Sequence, residues 1–123
     1  MEGVRLAFRD VYEAYSRAWK VADRDERREL LERVWSDDAV YIDDEAPDGL
    51  VGIDALLGYI ADSHAEMPGL MVSETTSPKV LDGRMLVRWV ATQGAEQKYS
   101  GTDVVEFGSD GRIARVTNFF DHD

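Results

Sequence analysis

Two carboxylates stand out because their sequence neighbours are largely apolar. Asp103 lies in the alternating run Tyr99, Gly101, Asp103, Val105, Phe107, and between Tyr99 and Phe107 it is the one acid on that face. A carboxyl on such a face must be protonated, hydrogen-bonded or turned toward a wet cavity. In a cavity it would be a pocket acid with a raised pKa; held by Trp or backbone donors it would be structural. Asp43 ends the β-forming run Val40, Tyr41, Ile42 and precedes the breaker-rich Asp44–Gly49. It reads either as a general base at the mouth of the same cavity or as an exposed strand-end carboxylate. Asn118 falls among Val116 and Phe120 on one strand face, where it would orient a ligand carbonyl or satisfy a buried backbone group. Trp19, Trp35, Tyr59, Trp89, Tyr99 and Phe120 are candidates to line an aromatic pocket, with plain core packing as the alternative.

Other chemistries find little support. The chain has no Cys, which excludes disulfides and thiolate nucleophiles or ligands. His64 and His122 have no ligand spacing, so no metal or cofactor is expected. His64 falls at the end of a helical stripe, as an acid/base or a cap; Asp121 is a further acid near the C-terminus. A net charge of −11 would repel nucleic-acid backbones and anionic membranes. No basic leader or long apolar run is evident, so a cytoplasmic protein is expected.

Three helices are predicted to position these residues. Val4–Ala22 carries Phe8, Val11, Tyr12, Tyr15, Ala18 and Trp19 at three- and four-residue spacing. Asp23 with Glu26 signals a capped second helix, through Leu30, Leu31, Val34 and Trp35, stopped by Ser36–Asp38. A strand over Ala39–Asp43, a loop and a short return at 50–52 lead into a third helix, Ile53–Glu66, closed by Pro68-Gly69. The period then falls to two over Leu70–Thr76, Met85–Thr92, Glu96–Phe107 and Arg112–Phe120, joined by turns such as Asp82-Gly83 and Asp110-Gly111. The 123 residues thus read as one α+β domain, residues 1–123, with an antiparallel meander. The strand Met85–Thr92 is apolar on both faces, which suggests covering by the helices on one side and a second copy on the other.

The order of these segments resembles the SnoaL-like family of the nuclear transport factor 2-like superfamily. The likeness is carried by Tyr15-Ser16-Arg17-Ala18-Trp19, Trp35 through Asp43, Gly52-Ile53-Asp54-Ala55-Leu56, Gly101 through Phe107, Asp110-Gly111-Arg112-Ile113 and Phe119-Phe120-Asp121. It implies a cone-shaped, curved antiparallel sheet closing with three N-terminal helices around a pocket, commonly in a homodimer. Relatives include polyketide cyclases, ketosteroid isomerases and limonene epoxide hydrolases, so the fold does not fix the reaction. On the ketosteroid isomerase pattern Asp43 falls at the general base and Asp103 at a neutral, oxyanion-binding Asp. Trp19 and Trp35 stand where that pattern has Tyr, leaving an indole N–H in place of a phenol. The Arg/Asp pair of the epoxide hydrolases is absent, since Arg88 is followed two residues on by Val90. The expectation is a small hydrophobic ligand, with Asp43 abstracting a proton and Asp103 and Trp19 steadying an enolate, or else a non-catalytic binding module.

Overall fold

The computed structural model describes residues 7–121. Val4–Leu6 at the start of the first expected helix, and His122, lie outside the described residues. Helices α1 (Phe8–Lys20) and α2 (Arg24–Val34) are followed by β1 (Trp35–Asp43), β2 (Ala46–Val51) and α3 (Ile53–Glu66). Strands β3 (Leu70–Glu74), β4 (Lys79–Leu81), β5 (Arg84–Gln93), β6 (Glu96–Phe107) and β7 (Ile113–Phe120) complete the chain. This is the expected α+β order, with β4 added.

Local chemistry sets the helix ends. Asp23 accepts from the Glu26 N–H at 3.1 Å, so the predicted cap of α2 forms. From the next turn, buried Arg27 donates to the carbonyls of Ala18 (3.0 Å) and Val21 (2.6 Å). These are the carbonyls that the end of α1 leaves open, so Arg27 closes one helix and fixes its angle to the next. Gly52 before α3 has φ +88°, a conformation that disfavours residues with a Cβ.

The strands form one curved sheet in the order β2-β1-β7-β6-β5-β3, with β4 also on β5. The pairings β5–β6 and β6–β7 are the expected meander. One pairing departs from a wholly antiparallel sheet: β1 runs parallel to β7, with Tyr41 opposite Val116. Turn signals report only on strands adjacent in sequence, so this pairing leaves no local mark. The same partner explains Trp35. It was expected to extend α2, but it lies opposite Ile113 and opens β1, and Ser36–Asp38 fall within a register irregularity. Pro47 belongs to β2 rather than to a loop, as an edge strand permits. β3 and β4 lie end to end along β5, and the register slips by two residues around Pro78.

The helices pack on one face of the sheet. Val11, Tyr15, Leu31, Val34, Leu56 and Ile60 meet Tyr41, Met85, Val87, Val105 and Val116 in one buried cluster. Strand parity is as read from the sequence: Asp103, Val105, Val116 and Asn118 are buried, while Leu86 (45%) and Phe119 (57%) are exposed on the far face. No helix among the described residues is long and apolar enough to cross a membrane.

Candidate functional site

A cavity of about 80 Å³ lies between α1, α3 and the concave sheet. Tyr12, Tyr15 and Trp19, at three- and four-residue spacing, bring one face of α1 into it. β1 contributes Tyr41 and Asp43, α3 contributes Tyr59, and β6 and β7 contribute Tyr99, Asp103, Asn118 and Phe120. Trp89 enters from β5 opposite Gly101. A Cβ at Gly101 would lie 2.8 Å from the Trp89 ring and 2.5 Å from the Phe119 carbonyl, so only glycine leaves room for the indole there.

Both candidate acids face this cavity. Asp43 is 4% exposed and Asp103 6%. Their hydrogen bonding differs sharply. Asp43 accepts four bonds. Its Oδ1 takes the backbone N–H groups of Glu45 (2.8 Å) and Ala46 (2.9 Å), and its Oδ2 takes the hydroxyls of Tyr41 (2.8 Å) and Tyr59 (2.6 Å). Its acceptor positions are therefore filled. Asp103 accepts one bond, from the Tyr12 hydroxyl to Oδ2 at 2.9 Å, and its buried Oδ1 has no partner. Burial pushes its pKa up to about 7; the Tyr12 hydroxyl opposes the rise, and the charges of Glu74 and Asp43 add to it. Burial also raises the phenols of Tyr12 and Tyr15 far above the ordinary range, with the charge of Asp103 next in importance, so both stay protonated donors.

A second chain of bonds crosses the floor. The Trp89 indole N–H donates to Asn118 Oδ1 at 2.9 Å, and Asn118 Nδ2 donates to the Tyr41 hydroxyl at 3.2 Å. Tyr41 passes its own proton toward Asp43, so three strands hold that carboxylate in place. At the rim, Ser16 donates to Glu74 at 2.6 Å, and Lys20 stands 3.4 Å from the same carboxylate.

The cavity gathers Asp43, Asp103, Trp19, Tyr59, Trp89, Tyr99, Asn118 and Phe120, each expected there from the sequence. Trp35 is a correction. It is buried in the core, with its ring stacked on Tyr15 at 5.7 Å, behind the wall rather than in it. Trp19 is in the wall, but its side chain hydrogen-bonds the Tyr15 hydroxyl. His64 Nε2 lies 2.7 Å from the Trp19 carbonyl, so it closes the end of α1. Asp121 pairs with Arg88 and Ser100 outside the cavity. The phenols on α1 were missed. Tyr12 and Tyr15 read as core stripe, and the signal that could have found them was their register with Trp19 on one helical face.

No protein-family model and no curated protein matches the sequence. Solved structures do match in shape. A candidate isomerase of the SnoaL-like family from Agrobacterium tumefaciens superposes with a TM-score of 0.85 at 23% identity, covering 94% of this chain and 97% of that one. An NTF2-like protein of unknown function from Exiguobacterium gives 0.72 at 18%, covering 92% and 99%. A candidate ketosteroid isomerase from Kribbella flavida gives 0.71 at 19%, covering 94% and 78%. In architecture the chain is a SnoaL-like, nuclear transport factor 2-like fold.

Proposed function

We propose that this protein binds a hydrophobic, carbonyl-bearing small molecule and moves a proton on it without a cofactor, in the manner of an isomerase or cyclase. The observation that carries this reading is Asp103: a buried carboxyl in an aromatic cavity, with one oxygen unpartnered and a pKa near 7. An acid/base catalyst works best when its pKa lies near the working pH. The ionised Asp103 takes a proton from carbon next to the ligand carbonyl and returns it to another carbon. The Tyr15 hydroxyl, which burial keeps protonated, donates to the carbonyl oxygen where negative charge develops. Asp43 was the expected base, but its two oxygens are already engaged by four donors of the protein itself. Its part is to hold Tyr41 and Tyr59.

Turnover of simple enones or cyclisable polyketides is expected to fall at least ~10²-fold in Asp103→Asn, with the wild-type rate showing an inflection near pH 7. An unchanged rate in that variant removes the reading. The filled coordination of Asp43 also favours a second reading, a non-catalytic binding module, because it leaves one free carboxyl where many proton shuttles use two. Ligand binding that survives both Asp→Asn changes, with no turnover in any screen, selects that alternative.

A further inference from the structure

The charges around the cavity are one-sided. Asp43, Glu45 and Asp103 line it, and Glu74 stands behind Ser16 at its rim. No Lys, Arg or His lines it among the described residues. Near the rim, Lys20 is held by Glu74, and the His64 ring is held at the Trp19 carbonyl. The remaining hydroxyl and amide groups are Tyr12, Tyr15 and Ser16 of α1, Tyr59 and Ser63 of α3, Tyr41 of β1, Tyr99 of β6 and Asn118 of β7.

The walls are as specific as the charge. Eight of the lining residues are aromatic, and Trp19, Tyr41 and Tyr59 meet one another at centroid distances of 5.6–6.2 Å with their planes turned apart. Ring faces attract a cation and repel an anion. An anionic ligand would lose its hydration, meet the carboxylates and find no cation to compensate it. A neutral ligand would gain only the apolar contact. A hydrophobic cation gains the contact, the ring faces and the field of the acids together, and its N–H fills the one buried side-chain acceptor without a partner among the described residues, Asp103 Oδ1.

We infer that the pocket selects a hydrophobic amine in its ammonium form, seated against the aromatic walls with Asp103 Oδ1 as its hydrogen-bond acceptor. The inference rests on the same cavity being the ligand site, but it does not require turnover.

The test compares three probes of one shape, 2-phenylethylammonium, 2-phenylethanol and phenylacetate, through the fluorescence of Trp19 and Trp89. At pH 8 the ammonium is expected to bind about tenfold tighter than the alcohol, and phenylacetate weakest, as a partly desolvated cation–π and ion contact would give. Its binding should strengthen from pH 6 to pH 8 as Asp103 loses its proton, and Asp103→Asn should remove most of the advantage. Glu45→Gln, a change at an exposed side chain, should reduce it part-way without disturbing the core. Equal binding of all three probes, or a preference untouched in Asp103→Asn, overturns the charge selection and leaves the pocket standing. No binding by any probe overturns the pocket reading as well.

Discussion

Asp43 and Asp103 are the same residue type, almost equally buried, on two walls of one cavity, and they are built for opposite ends. Around Asp43 two phenols and two backbone amides converge, so its charge is consumed within the protein. Around Asp103 one phenol arrives and one oxygen is left bare. Burial alone therefore does not mark a functional acid. The number of donors aimed at it does: a satisfied carboxylate is a structural pin, and an unsatisfied one is strain that a ligand or a proton can relieve.

The contrast is broken most forcefully at Asp43. Asp43→Ala strands four donors at once, and a loss of about 3–5 kcal/mol is expected in urea unfolding, the scale for a buried charge network that loses its centre. A cost under ~1 kcal/mol would show that the four bonds are not holding the site. Asp103 should behave in the opposite sense. Its pKa is raised in the folded protein, so the folded state holds a proton that the unfolded chain has released, and stability falls as pH rises from about 4 to about 7. Asp103→Asn deletes that slope and keeps an acceptor for Tyr12. At pH 8 the variant is expected to be more stable than wild type by on the order of 3 kcal/mol, with the two converging below pH 4. Parallel stability curves for the two proteins would mean that Asp103 is not destabilised by burial. The finest probe is Tyr59→Phe, which removes one of the four donors from Asp43 and should cost about 1 kcal/mol, because three remain. A cost as large as that of Asp43→Ala would place the whole anchor in one bond.

Much of the frame was legible from local pattern. The limits of α3 and β6 and the cap at Asp23 follow from stripes, alternation and Asx chemistry, which act over a few residues. Strand parity placed Asp103 and Asn118 inward for the same reason. What escaped depends on long separation. Tyr12 meets Asp103 across 91 positions and Tyr59 reaches Asp43 across 16, so the donor count that separates the two acids has no sequence signature. Trp35 was misjudged because its fate is set by Ile113, and β4 was missed because three exposed residues make no readable alternation. The cavity residues were mostly identifiable, while their roles were not.

The parallel seam between β1 and β7 governs the order in which the molecule comes into being. The first strand of the sheet has only the β2 hairpin beside it until the last strand arrives, and the two acids sit on opposite sides of that seam. On a ribosome everything up to residue 112 emerges with this edge of β1 open, and the closing of so long a loop makes the final pairing slow. The cavity therefore waits on that pairing, because β7 alone joins the wall that bears Asp43 to the wall that bears Asp103.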